Sequence, residues 1–234
     1  MIKENLTEIR TKIKKACERS GRSETEVTLI AVSKTKPLAM IEEAYSAGMR
    51  EFGENKPQEM RDKAKAVANP VHWHMIGTLQ TNKIKYVVGT ACFIHSVDSV
   101  KLAEAIAQEA AKKEQTVNIL LEVNIAQENS KHGFLAEEVL PAILEISKLP
   151  QLRIRGLMTV APYTEFAEEN RIYFRKMKEL LVDINAQNID NVLMDTLSMG
   201  MSSDYEVAIE EGATMVRIGT GIFGERDYSQ SVNK

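Results

Sequence analysis

The sequence predicts one (β/α)8 barrel, an α/β fold, taking in residues 1–234 as a single domain. Apolar runs of strand length alternate with amphipathic stretches of helix length from Thr28 onward. The unit recurs eight times at nearly constant spacing, and barrels of this kind usually take ~250 residues. No linker, low-complexity tract or Pro/Gly-rich boundary interrupts the pattern. An open doubly wound sheet is the other architecture that such alternation allows.

Ile2, Leu6, Ile9, Ile13 and Ala16 recur at helical spacing. They predict an extra N-terminal helix that ends near Gly21 and covers the bottom of the barrel. Leu29 to Val32 is an apolar run suited to a buried parallel strand. Pro37 then opens a helix from about Leu38 to Ala47, stopped by Gly48. Glu51 to Asn55 reads as the second strand, and Pro57 starts a charged helix running to about Ala68. His72 to Gly77 is the third strand, with a helix near Thr81 to Val88. Cys92 to Val97 is the fourth, and Ser99 begins a helix to Lys113. Val117 to Ile125 is the fifth and most apolar strand. A polar loop, Ala126 to Gly133, separates it from a helix over Ala136 to Leu149. Ile154 to Val160 is the sixth strand, before a long helix from about Phe166 to Asn185. Leu193 to Met199 is the seventh. Ser203 and Glu206 have capping-box spacing for a short helix that Gly212 ends. Met215 to Gly219 is the eighth strand, and Arg226 to Lys234 reads as a polar tail with no room for a second domain.

Composition narrows the function classes. Thirty basic side chains face thirty-three acidic ones, so no net field draws the chain to nucleic acid or a membrane. A hydrophobic fraction of 44% suffices for a large core. Cys17 and Cys92 match no metal or redox spacing and suit a reducing compartment. Seven charged residues between Lys3 and Lys15 interrupt any signal-peptide core, and no apolar run approaches the length of a membrane span. The expectation is a cytoplasmic monomer.

In such a barrel, chemistry gathers at the C-terminal ends of the strands. Those ends carry Lys34, Asn55, the Met75–Gly77 region, Ser96, Asn124, Met158, Ser198 and Gly219. A lysine at the end of a buried strand is costly unless used, and its amine can condense with an aldehyde. Its alternative is a strand-end side chain leaning into solvent. After strand seven comes a serine- and glycine-rich loop, Ser198 to Ser203, and after strand eight Gly219-Thr220-Gly221. Loops at these two places often bind phosphate through backbone N–H groups and hydroxyls. Together they frame an aldehyde with a phosphate at its far end. Pyridoxal phosphate fits, as does the sugar phosphate of an aldolase.

The stretches VSKTKP, FGENKPQE, WHMIGTLQTNK, HSVDS, NSKHGF, GLMTVAP and LSMGMSSDYEVAIEEGATMVRIGTGIFGER resemble the YggS/PROSC family of pyridoxal phosphate homeostasis proteins. The likeness runs from strand one to about Gly224. It implies a barrel of the alanine racemase N-terminal domain type (fold type III). It also implies pyridoxal 5'-phosphate (PLP) bound covalently to Lys34 as an internal aldimine, with Ser198, Gly219 and Thr220 on the phosphate. Arg217 falls where the racemase-like fold sets an arginine against the pyridine nitrogen. Asn55, His74 and Met158 complete the expected cofactor-binding set, and PLP and related B6 vitamers are the expected ligands.

Other residues read more plainly. Lys36 lies past the strand end and reads as a solvated charge. His72 and His74 face one way on strand three, but with no carboxylate or third donor in view no metal is expected. Lys131 and His132 sit in a loop that could overhang the mouth, and Tyr163 and Tyr205 read as packing residues. Three functions compete: a carrier that stores or delivers PLP to apo-enzymes, a racemase or decarboxylase, and a Schiff-base aldolase. An aldolase needs an acid–base carboxylate, for which only Glu54 is near. A racemase needs a base on each face of the ring. The carrier is the expected function, without a committed reaction.

Overall fold

In the computed structural model, which describes residues 1–128 and 131–225, eight parallel strands close into a barrel in chain order. The polar tail from Arg226, and Asn129 and Ser130 of the NSKHGF stretch, lie outside the described residues. The elements are α1 (Ile2–Arg19), β1 (Thr28–Val32), α2 (Leu38–Ser46), β2 (Glu51–Glu54), α3 (Pro57–Ala66), β3 (His72–Met75), β4 (Ala91–Val97), α4 (Val100–Lys112), β5 (Val117–Glu122), α5 (Ala136–Ile146), β6 (Leu152–Met158), α6 (Arg171–Asn185), β7 (Val192–Ser198), α7 (Tyr205–Glu210), β8 (Met215–Ile218) and α8 (Thr220–Phe223). The seam closes where β8 pairs with β1, with Leu29 opposite Val216 and Ile30 opposite Arg217. The open-sheet alternative is thereby excluded.

Four expectations are corrected. The stretch after β3 is a 3-10 helix, Thr81–Tyr86, rather than an α-helix to Val88. β5 stops at Glu122, and Val123 then bridges to Phe134. Ser203 does not cap α7. Asp204 is the residue before that helix, and its Oδ1 accepts from the Met201 N–H, folding the preceding loop back on itself.

The fourth correction concerns α1, which lies on the side of the barrel and not across its bottom. It packs against α7, α8 and α2. α8 is a single turn, too short to cover the β8–β1 seam. α1 fills the eighth outer position, with Ile2, Leu6, Ile9, Ile13, Ala16 and Cys17 buried on one stripe. Asn5 Nδ2 donates to the Ile222 carbonyl at 2.9 Å, tying this helix to the end of the barrel that carries the site.

The barrel interior is unusually polar. His95 of β4 meets Ser198 of β7 at 3.0 Å, although β5 and β6 separate them around the wall. That contact must therefore cross the inside. Ile30, His74, His95, Ser198 and Arg217 are all buried. Polar side chains at such depth persist only when hydrogen-bonded.

Candidate cofactor site

A pocket of about 450 Å³ opens at the C-terminal ends of the strands. Val32, Ile76, Val160 and Met201 give it apolar walls, while Lys34, Asn55, Ser202, Ser203, Arg217, Gly219 and Thr220 supply polar groups. A larger cleft of about 530 Å³ lies between α1 and α7 and shares Ser202 and Ser203 with it. Its charges are largely paired, Arg19 with Glu206 and Glu210, and Arg171 with Glu168 and Glu210. The smaller pocket alone joins a strand-end lysine to the two glycine-containing loops.

Lys34 is presented by a turn that is anchored on both sides. Ser33 Oγ donates to Glu54 Oε1 at 2.6 Å. Lys63 Nζ, on α3, donates to the Ser33 carbonyl, to Glu54 Oε1 and to Glu59 Oε1, at 2.7, 2.8 and 2.7 Å. The same Glu59 oxygen accepts from the Thr35 N–H at 2.6 Å, where the backbone takes a positive φ of 63°. Lys36 is not a solvated charge. Its Nζ donates to the carbonyls of Phe223, Gly224 and Glu225 at 3.2, 3.1 and 3.0 Å, joining the Lys34 turn to the end of α8. Burial pushes the Glu54 carboxyl above its ordinary range, with Lys63 and Ser33 opposing that shift.

Asn55 follows β2 directly. Gly77 lets the end of β3 approach it, since a Cβ there would lie 2.5 Å from the Asn55 carbonyl oxygen. Asn55 Oδ1 is buried and makes no hydrogen bond among the described residues. On the other side of β1, Thr220 Oγ1 and Ser202 Oγ are 3.2 Å apart. Gly200, at φ +91°, makes the turn that brings the Ser202 loop round, and a Cβ there would meet Tyr205 Cα at 2.9 Å. Thr220 and Gly221 begin α8, where N–H groups lack intrahelical acceptors.

Of the eight expected cofactor-binding residues, Lys34, Asn55, Arg217, Gly219 and Thr220 share this pocket. Three do not line it. Ser198 is fully buried beneath Arg217, accepting from its Nη1 at 2.5 Å, and is the last residue of β7 rather than part of the loop. Met158 is buried at the end of β6, and Val160 two residues on reaches the pocket instead. His74 sits deeper, with Nδ1 2.9 Å from His95 Nε2 and Nε2 2.8 Å from Glu51 Oε2. Ser202 and Ser203 line the pocket instead. Their signal was present in SMGMSSD, where they follow the glycine turn while Ser198 still belongs to a strand.

The strand-three histidines do have a carboxylate beside them. Glu51 accepts from His72 Nδ1 at 2.7 Å as well as from His74, and Cys92 Sγ lies 3.5 Å from His74 Nε2. Glu51, His74 and Cys92 thus bring one donor atom each within 4.8 Å of one another, and Cys92 also donates to the Trp73 carbonyl at 3.1 Å. Lys131 Nζ donates to the Val160 carbonyl at 3.1 Å and pairs with Glu128, so it stands at the rim. His132 is exposed, Tyr205 is buried, and Tyr163 is 97% exposed instead of packed.

Arg217 Nη2 donates to the Thr159 carbonyl at 2.8 Å. Burial lowers its pKa to about 10, with Glu122 and Asp204 pulling the other way, so the guanidinium is charged at neutral pH. Burial above all, with the Arg217 charge acting in the same direction, drives the His95 imidazole well below its ordinary range and keeps it neutral.

A closed parallel barrel with a lysine at the end of β1 and donor-rich loops after β7 and β8 defines the class. The family model of the alanine racemase N-terminal domain matches residues 4–227. The chain is 45% identical to the pyridoxal phosphate homeostasis protein of Aquifex aeolicus (strain VF5), over 96% of this chain and 98% of that protein. It is 41% identical to the protein of that name from Escherichia coli (strain K12), over 98% of each. The chain thus belongs to the pyridoxal phosphate homeostasis proteins within the alanine racemase N-terminal domain family. PipY of Synechococcus elongatus PCC7942, solved with PLP bound, superposes with a TM-score of 0.84 at 35% identity, over 96% of this chain and all of that one. An alanine racemase of Clostridium difficile 630 shares the fold, with a TM-score of 0.74 at 14% identity, over 96% of this chain and 56% of that one.

Proposed function

We propose that the pocket binds PLP and that the protein serves PLP homeostasis, storing or delivering the cofactor without a committed reaction. One observation carries this reading: the Lys34 turn and a set of hydroxyl and backbone donors open into the same pocket. The donor set fits the group. Ser202, Ser203, Thr220 and the N–H groups at the start of α8 suit an anion, and the buried Asn55 Oδ1 can accept from a polar substituent. The names of the relatives and the PLP-bound PipY support it.

When bound, PLP supplies an aldehyde that condenses with amines and a conjugated ring that withdraws electrons. The chain's residues do the rest. Lys34 presents its amine to the aldehyde and holds the cofactor covalently. Ser202, Ser203, Thr220 and the Gly219 backbone take the phosphate. Arg217 would face the ring nitrogen. A guanidinium donates but does not accept, so it keeps that nitrogen unprotonated and the ring a weak electron sink. Val32, Ile76, Val160 and Met201 shield the ring from water.

Racemisation needs a proton-transfer group on each face of the ring. Among the described residues lining the pocket, Lys34 alone carries a side chain able to give and take a proton readily. The aldolase reading loses its carboxylate, because Glu54 does not line the pocket and is engaged by Ser33 and Lys63. No described helix is long and apolar enough to cross a membrane. The proposed setting is a cytoplasmic monomer whose recipients are apo forms of PLP-dependent enzymes, with both cysteines free.

The test is an absorption spectrum of the purified protein before and after borohydride. A visible band that reduction fixes to the chain is expected. A colourless protein that takes up no PLP would overturn the reading.

A further inference from the structure

We propose that Ser198, His95, His74 and Glu51 form a polarised hydrogen-bond chain through the barrel that positions Arg217 for the ring of the bound cofactor. This deepens the function proposed above and rests on it. The chain starts at the pocket. Arg217 Nη1 is 2.5 Å from Ser198 Oγ, which is 3.0 Å from His95 Nδ1. His95 Nε2 is 2.9 Å from His74 Nδ1, and His74 Nε2 is 2.8 Å from Glu51 Oε2. Ser198 is the last residue of β7 and Glu51 the first of β2, so the chain runs from one end of the barrel toward the other. At the far end Glu51 also holds His72, whose side chain is 65% exposed.

One sense of donation satisfies both ends. Arginine only donates, so Ser198 Oγ accepts from it. The serine's own proton then goes to its one remaining partner among the contacts shown, His95 Nδ1. His95 must carry its proton on Nε2 and donate to His74 Nδ1. His74 must carry its proton on Nε2 and donate to Glu51. A carboxylate only accepts, which is the sense already reached from the other side. Every link is then satisfied, with both imidazoles in the Nε2–H form. Burial pushes the Glu51 carboxyl up, but hydrogen bonds from His74 and His72 outweigh it and hold it below its ordinary range, so it is an acceptor at neutral pH. Cys92 Sγ, 3.5 Å from His74 Nε2, gives its proton to the Trp73 carbonyl and does not compete as a donor.

The consequence is positional. Arg217 is steered by the Thr159 carbonyl at one nitrogen and by Ser198 at the other. Ser198 can keep its lone pair toward Arg217 only while His95 takes its proton. His95 can do so only while His74 accepts from it, and that tautomer of His74 is fixed by Glu51. Ser198, His95, His74 and Glu51 are positioning residues, since none of the four lines the pocket.

Nitrogen NMR of the full chain labelled at histidine, first without and then with PLP, tests this. His74 and His95 should both show a protonated Nε2 and an unprotonated Nδ1, with or without cofactor. Glu51→Leu removes the terminal acceptor. It should redistribute the tautomers of both histidines, shift the absorption band of bound PLP and weaken PLP binding about tenfold. Glu51→Gln, whose amide oxygen can still accept, should restore most of each signal. His72→Gln, which touches the same carboxylate from outside the chain, should leave the tautomers and the band unchanged. A His95 proton on Nδ1 in the unaltered protein would overturn the proposal whether or not PLP binds. So would a Glu51→Leu protein whose tautomers and cofactor band match the unaltered chain. Expected tautomers in a protein that takes up no PLP would instead overturn the cofactor reading, and with it the purpose assigned to the chain.

Discussion

At the scale of the residue, the site depends on a lysine held in place by its neighbours rather than by its own strand. Ser33, Glu54, Glu59 and Lys63 fix the turn, and only the tip of Lys34 need meet the cofactor. On the proposed function, Lys34→Ala would remove the covalent link and leave those bonds intact. The protein should fold normally, retain PLP only loosely and lose the visible band. Borohydride reduction followed by peptide mapping should place the adduct on Lys34, and an adduct on Lys36 or Lys131 would contradict this. The phosphate makes a second residue-scale prediction. Ser202→Ala and Thr220→Val each delete one donor to a charged acceptor, worth roughly 1.5–3 kcal/mol. Affinity for PLP should drop by about 10- to 100-fold, while that for unphosphorylated pyridoxal stays level. Equal weakening for both ligands would move the phosphate elsewhere. His95 makes a third. Its pKa is depressed in the folded state, so below ~6.5 the unfolded chain takes up a proton that the native one refuses. Stability is lost as pH falls from there until His95 itself is protonated. His95→Gln should show a smaller drop in Tm between pH 7 and pH 5 than the unaltered chain, and parallel curves would refute the assignment.

At the scale of the element, the barrel was legible because its signals are local. Strand runs such as Val117 to Leu121 and starts such as Pro57 and Ser99 act within a few residues, and the structure places strands and helices at those sites. What was not legible depends on distance in space. Lys36 reads as a surface charge until α8 arrives beneath it, 187 residues later. Ser198 and Ser202 look alike in sequence, and only strand parity and the Gly200 turn decide which hydroxyl enters the pocket. Glu51 and His74 share no sequence motif and meet because β2 and β3 are in register, Glu51 opposite His72. The place of α1 is another such case, since its stripe shows that it is buried but not against what. If α1 is the eighth outer helix, Leu6→Ala should destabilise the whole barrel by roughly 2–5 kcal/mol. Trp73, the single tryptophan, lies on β3, well away from α1 along the chain. In urea its fluorescence midpoint should fall together with the circular dichroism. Early loss of helix with an unmoved Trp73 transition would make α1 an appendage.

At the scale of the whole molecule, the proposed carrier would hold its cofactor without working on it. The pocket end supplies one amine, a donor cradle and a charged arginine, and the interior beneath is occupied by a satisfied polar chain. Nothing among the described lining residues stands across from Lys34 to move a second proton. With PLP bound as proposed, Arg217 would also keep the ring from the protonated state that stabilises a carbanion. Both features lower the rate of chemistry at the amino-acid Cα and leave exchange of one amine for another unaffected, because exchange needs only the aldehyde and an incoming amine. Lys131 stands at the rim, its Nζ donating to the Val160 carbonyl. The loaded protein should therefore neither racemise nor decarboxylate a panel of amino acids faster than free PLP does. Mixed with an apo PLP-dependent enzyme, it should restore activity as its own visible band decays, and Lys34→Ala protein stripped of PLP should restore none. Stereospecific turnover of any amino acid that Lys34→Ala abolishes would show that a second proton-transfer group reaches the ring after all, and the protein would then be a small racemase-like enzyme rather than a carrier.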